Sequence, residues 1–287
     1  MTEVTISPVA TGSSTRFTRL VSSPRAILGG ALVTLAVVSA IFAPVLTPYG
    51  PNETNFLAVL QAPSLAHPFG TDELGRDILT RVLFGARVSL LVGLGSVLAS
   101  LIIGGLIGAI AGYLSGWADT IIMRLMDVIF AFPGVLLALA ITAVLGPSLG
   151  NAILAIAVVN LPVFARIARA QTMVVRSLDF VEAKRALGFG GWNILFRTIL
   201  PNIAAPMLVQ GSLLFAAAII TESYLSFLGL GAQPPTATWG NMLRDAIGFL
   251  ELAPWMAWFS GFAIFLTVLG FNVVGDALRD FYDPRTA

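Results

Sequence analysis

The side chains able to do chemistry are few, and their spacing does not assemble a catalytic centre. The chain contains no cysteine, so it has no thiolate nucleophile, no disulfide and no cysteine-ligated metal. His67 is the only histidine. A metal site needs several ligands on matched spacing, so this imidazole reads as a bystander in a loop. Lys184 is the only lysine and stands between Ala183 and Arg185, whereas a phosphate-binding loop needs lysine between glycine and Ser/Thr. The chain is therefore expected not to hydrolyse ATP by that route, and not to be an enzyme. Two carboxylates stand out because they lie in or beside apolar runs, where charge is costly and usually faces a cavity or a partner. Asp127 follows Arg124 by three positions and reads as an interfacial ion pair. Glu222 has two readings: a contact for the cationic end of a substrate, or a hydrogen-bonded support for the neighbouring turn. The second is favoured.

The elements that would position these groups are membrane helices. Hydrophobic residues make up 57% of the sequence and charged residues 11%, against about a quarter charged in soluble domains. Inside lipid only helices and closed barrels satisfy their own backbone. The apolar runs are continuous rather than alternating, which excludes barrel strands. They lie at about 26–46, 88–114, 121–145, 151–167, 203–224 and 254–274, each near the roughly twenty residues a spanning helix needs. The expected fold is all-α and integral to the membrane, with about six spans; Pro133, Pro162 and Pro206 should kink them. With the N-terminus inside, Arg16, Arg19, Arg25, Arg124, Arg166, Arg169, Arg176, Lys184, Arg185, Arg197, Arg279 and Arg285 fall on the cytoplasmic side, and only Arg76, Arg81, Arg87 and Arg244 outside. That bias predicts cytoplasmic termini in the cell membrane. A tail over 1–25 then precedes one transmembrane domain over 26–287, with an outer loop at 47–86 and a cytoplasmic loop at 168–202. The formal net charge of +1 gives no basis for binding nucleic acid.

The cytoplasmic loop carries the most information. Val174, Leu178 and Val181 are spaced as one helical stripe. Gly188 stands where a left-handed cap would end a helix. Trp192, Phe196 and Ile199 form a second stripe, and Leu200-Pro201 is expected to end it. The pattern is a bent helix–turn–helix that a soluble partner could grip. In the outer loop, Thr71 or Asp72 is a candidate helix cap, and Asp77 with Arg81 a candidate i,i+4 pair. The rival role for that segment is contact with an external protein.

Glu182-Ala183-Lys184-Arg185-Ala186-Leu187-Gly188, followed by Ile199-Leu200-Pro201-Asn202, resembles the "EAA" signature of binding-protein-dependent ABC importer permeases. Two positions depart from it: Lys184 replaces the second alanine, and Thr198 stands where isoleucine is commonest. Phe42-Ala43-Pro44 with Pro48-Tyr49, the Pro68–Asp77 segment, Leu225–Gly231 with Pro234-Pro235 and Trp239–Leu243, and terminal Asp283-Pro284-Arg285 further resemble the C-type permeases of dipeptide, oligopeptide and nickel importers. The resemblance implies a coupling loop, with Glu182, Ala183, Lys184, Gly188, Trp192, Leu200 and Pro201, seated on a cytoplasmic ATPase. It also implies a homologous second permease, two ATPase subunits and an external binding protein as partners. No cofactor is expected in this chain, since ATP and Mg²⁺ would bind the ATPases. Short peptides are the expected cargo, nickel the runner-up. An ion-coupled carrier is the rival of another class; it would need acidic or histidine relays that the spans nearly lack.

Overall fold

The computed structural model describes residues 23–282, and those residues form helices and turns with no strand among them. The helices are α1 (Pro24–Leu46), α2 (Ile78–Leu114), α3 (Gly116–Phe130), α4 (Gly134–Leu145), α5 (Leu149–Val175), α6 (Asp179–Ala186), α7 (Gly191–Ile194), α8 (Leu200–Phe227), α9 (Trp239–Ala246) and α10 (Trp255–Tyr282). The N-terminal tail before Ser23 and the terminal Asp283-Pro284-Arg285 lie outside the described residues.

Five helices are long and apolar enough to cross a membrane. The expected third span is not one straight helix. It breaks at Ala131–Pro133 into α3 and α4, bent by 88°. Proline has no N–H for the ladder and pushes the preceding residue out of helical backbone, and hydropathy carries no record of direction. The pair nonetheless returns the chain across the bundle. α2 and α5 run parallel, because Gly104, Gly108 and Gly112 meet Leu161, Ala165 and Arg169 in the same order. The chain between them must therefore travel back. α1 with α10, and α2 with α8, are antiparallel by the same test, since Gly29 faces Val273 while Gly270 faces Val33, and Ser89 meets Glu222 while Gly105 meets Met207. Six crossings result, with the described chain ends on one side. There Arg25 and Asp280 approach to 3.9 Å.

Small residues let these backbones approach, as expected where lipid supplies no hydrophobic drive between helices. A methyl at Gly104 would lie 2.6 Å from the Leu161 carbonyl oxygen, one at Gly112 2.6 Å from that of Arg169, and one at Gly108 would overlap that of Ala165. The inner core lies where α2, α5 and α8 meet, around Val92, Ile156, Phe164, Phe215 and Ile219. Leu35, Ile41, Leu94, Ile102, Phe262 and Phe265 face outward, as suits a helix bundle in hydrocarbon.

α2 opens at Ile78, inside the stretch read as outer loop, and its charged side chains find partners on other segments. Arg87 donates through Nε to Ala40 O and through Nη2, at 2.8 Å, to Ile41 O. Pro44 lies inside α1 and cannot donate to the carbonyl four residues back, which is Ala40. Arg87 supplies the missing donor. The helix cap is Asp77, whose Oδ2 accepts from Thr80 N at 2.8 Å, and neither Thr71 nor Asp72 takes that place. Arg81 turns to Asp72 at 3.5 Å rather than to Asp77, since the other Asp77 oxygen takes His67 Nδ1 at 3.0 Å. His67 is buried and stacks on Tyr49, so the lone histidine locks the loop.

Candidate coupling surface and the buried glutamate

The cytoplasmic loop folds as two arms around a glycine turn. α5 ends at Val175, and Leu178 is extended (φ −81, ψ 145), so α6 starts in a new helical phase. The expected stripe of Val174, Leu178 and Val181 is accordingly split: Val181 is buried, whereas Val174 and Leu178 are exposed. Gly188 adopts φ +82, a region favoured by glycine. Phe189 N donates to Lys184 O at 3.1 Å across it, closing the helix end.

The second arm differs from the expectation at its end. Leu200-Pro201 does not terminate it. α7 passes through a π-helical turn at Leu195–Ile199 directly into α8, so Gly191–Phe227 is one apolar rod of 37 residues. The π turn places Leu200 N on Leu195 O and shifts the ladder where Pro201, which has no N–H, begins α8. Inside the continuous rod it is the π turn that accommodates a proline at this place.

The loop exposes a coherent set of groups. Leu187 is 77% exposed and Trp192 62%, with Phe180, Phe189 and Phe196 also open, and Trp192 stacks on Phe196 at 5.9 Å. Exposed apolar groups of this size mark an interaction surface for a protein or a membrane. Glu182 and Ala183 are exposed beside them. Glu182 sits in the first turn of α6, where no side chain caps the helix, so its carboxylate faces outward rather than closing a local amide. Leu200 is half-buried and Pro201 exposed at the root of the rod. Lys184 turns inward, donating to Thr198 Oγ1 at 2.8 Å.

The sequence gives little notice of Arg176. Its Nη1 donates to Gly112 O and Tyr113 O at 2.9 Å each, and to Ser115 Oγ, closing the end of α2 with a cation where the helix dipole is negative. Arg185 of the first arm lies over the Tyr113 ring at 5.9 Å, and a Cβ at Gly191 of the second arm would lie 3.1 Å from the Tyr113 hydroxyl, so α2 meets both arms of the loop. The detectable signal is the Ser115-Gly116 break, which leaves the last carbonyls of α2 in need of a donor. Arg169 and Asp119 form a bidentate pair at 2.5 and 2.6 Å, pinning α3 to α5. Asp127 pairs mainly with Arg166 at 2.9 Å and only loosely with Arg124 at 3.8 Å. It is half-exposed on the same side as the loop.

Glu222 lies near the other end of α8 and is 1% exposed. Its oxygens accept from Ser89 Oγ at 3.2 Å and Ser226 Oγ at 2.7 Å, with the Thr238 side chain as a third partner. A buried carboxylate needs such donors. They join α2, α8 and the segment before α9 at one point, where Trp239 Nε1 also donates to Val82 O at 3.0 Å. These contacts enclose the carboxylate in this conformation.

Comparison with known proteins then fixes the family. The family description "Binding-protein-dependent transport system inner membrane component" matches residues 104–287, and "N-terminal TM domain of oligopeptide transport permease C" matches residues 15–63. The chain belongs to this family. A dipeptide transport system permease protein of Alkalihalophilus pseudofirmus is 49% identical over 94% of this chain and 88% of its own length. A glutathione transport system permease protein of Pectobacterium atrosepticum is 46% identical over 91% of this chain and 87% of its own. The MetNI methionine ABC transporter, in inward-facing conformations, shares the fold: TM-score 0.58 and 15% identity, covering 70% of this chain and 96% of that one. As a binding-protein-dependent transport component, the chain is a membrane-embedded permease subunit of an ABC importer, and such subunits are not themselves enzymes.

Proposed function

We propose that this permease subunit imports short peptides delivered by an external binding protein, driven by ATP hydrolysis in partner subunits that grip the α6–α7 loop. The observation that carries the coupling half is mechanical. Trp192 and Phe196 are exposed on a helix that continues through the π turn into the α8 rod, and Glu182, Leu187 and Phe189 are exposed on α6 and the glycine turn beside it. A displacement of the second arm therefore reaches the Glu222 junction along one continuous helix. Transport then follows if ATPase states bias the bundle between two arrangements, as any such switch requires.

The peptide cargo is supported by the relatives, whose names specify dipeptides, di- and tripeptides and glutathione; nickel stands behind it. The assembly proposed is this chain, a homologous permease, two ATPases that bind ATP and Mg²⁺, and a binding protein on the side of the 47–77 loop. The chain itself carries no cofactor. Phe56, Leu57 and Leu65 are exposed on that loop, and its own charges are consumed internally. Cytoplasmic termini follow from the lysine and arginine bias, with the coupling loop on the same side. The test is uptake of a labelled dipeptide and of nickel in cells deleted for this gene, with complementation by wild type and by Gly188→Pro. Peptide uptake should fall and return only with wild type. Gly188→Pro should lose the copurifying ATPase, because proline fixes φ near −65°. Loss of nickel uptake alone would overturn the cargo; normal uptake without the ATPases would overturn the mechanism.

A further inference from the structure

Lys184 and Thr198 are the two positions where the loop departs from the signature it otherwise follows, and the fold sets them against each other. Lys184 Nζ donates to Thr198 Oγ1 at 2.8 Å, across 14 residues. Thr198 is 4% exposed and lies in the π turn that leads into α8. The turn between the arms is closed only locally, by Phe189 N on Lys184 O at 3.1 Å, and nothing else approaches Gly188 or Gly190 within 4 Å of where a Cβ would be. The angle between the arms must then be set by contacts across the turn. Val181 anchors α6 from beneath, and Lys184 ties it directly to the second arm. Lys184 forms no ion pair among the described residues, so the hydroxyl is its polar partner there. A charged donor makes the stronger kind of hydrogen bond.

We propose that Lys184 and Thr198 form a latch that fixes the angle of α6 on the α8 rod and so sets how fully an ATPase stroke reaches the membrane helices. Both are positioning residues, and the proposal rests on this loop being the ATPase-gripped lever. Breaking the latch leaves the exposed docking groups in place but lets α6 swing about Gly188. ATP is then hydrolysed with less cargo moved.

The test uses the complete importer, with its permeases, ATPases and binding protein, in proteoliposomes, reading ATP hydrolysed per labelled dipeptide transported. Thr198→Val removes the hydroxyl at nearly constant shape, and Lys184→Met removes the donor at nearly constant length. Each should raise the ratio about tenfold, the low end of the effect of losing one bond to a charged group. Thr198→Ser should match wild type, and the double variant should be no worse than either single. A second readout guards against misfolding. The chain has no cysteine, so spin labels at Leu187→Cys and Tyr224→Cys report one distance. That distribution should broaden in Thr198→Val and stay narrow in Thr198→Ser. A wild-type ratio and an unchanged distribution in Thr198→Val would overturn the latch, as would multiplicative effects in the double variant. A wild-type complex whose ATPase ignores the loaded binding protein would instead overturn the lever reading itself.

Discussion

Substituting Gly108 by alanine is the sharpest probe of how the bundle is held. A Cβ there would overlap the Ala165 carbonyl oxygen and crowd its carbon and Cα, and Cβ atoms essentially never sit closer than 3.0 Å to a neighbour. α2 and α5 would have to part by roughly an ångström. A gap of about 0.5–1 Å forfeits a quarter to a half of each dispersion contact along the seam, and overpacking of this kind costs about 1–3 kcal/mol. Against it stands the helix propensity of alanine over glycine, about 1 kcal/mol in the other direction. Gly30→Ala isolates that second term, because nothing lies within 4 Å of a Cβ at Gly30 in α1. The expected result is that Gly108→Ala is less stable than Gly30→Ala by the overpacking term alone, about 1–3 kcal/mol, because the propensity gain is common to both. Denaturation of the purified chain in mixed micelles measures both. Equal stabilities would refute the claim that the glycine stripe is a backbone-to-backbone seam.

Arg87→Met should strand the Ala40 carbonyl and cost about 1–3 kcal/mol, read as faster amide exchange in α1. Adding Pro44→Ala should recover part of it, since alanine returns an N–H to that carbonyl. Glu222→Leu should lower stability, by leaving Ser89 and Ser226 without their acceptor, yet leave the order of preference among competing dipeptides unchanged. A changed preference in uptake competition would restore the substrate-contact reading. Glu73 in the 47–77 loop has its pKa raised, chiefly by burial and then by neighbouring Asp72. The folded loop therefore holds a proton more tightly than the unfolded chain. Stability should rise as pH falls from neutrality toward the ordinary glutamate value of 4.5 and decline as pH rises. Melting curves in detergent across that window check it, and Glu73→Gln should flatten the profile.

Much of this architecture is legible in the sequence, because lipid imposes a coarse and strong rule: runs of apolar residues must be helices. The spans, the glycine-turned loop and its exposed aromatics follow from length, periodicity and one left-handed position. What escapes that reading depends on directions and partners that hydropathy does not carry. The run over 121–145 is continuous in composition, and only Pro133 hints that it bends by 88°. Arg81 and Arg87 interrupt the apolar run and so hide the start of α2, although both are satisfied by groups far off in sequence, Asp72, Pro51 and Ala40. His67 looks idle until the fold brings Tyr49 and Asp77 to it. Leu200-Pro201 looks like a stop because the rule for proline assumes an α-helical ladder, and the π turn before it changes the ladder.

That π turn also has a consequence for chain length. A single π turn is an α-helix carrying one surplus residue. Between Gly191 and Phe227 the rod thus holds one residue more than a pure α-helix would need for the same phase. Each residue turns an α-helix by about 100°, so a one-residue deletion after Pro201 would rotate the Lys184 partner out of register with the Glu222 junction. A deletion within Leu195–Ile199 could instead be absorbed by converting the π turn to α. Related chains should therefore vary in length rarely at Leu195–Ile199 and not at all between Pro201 and Glu222.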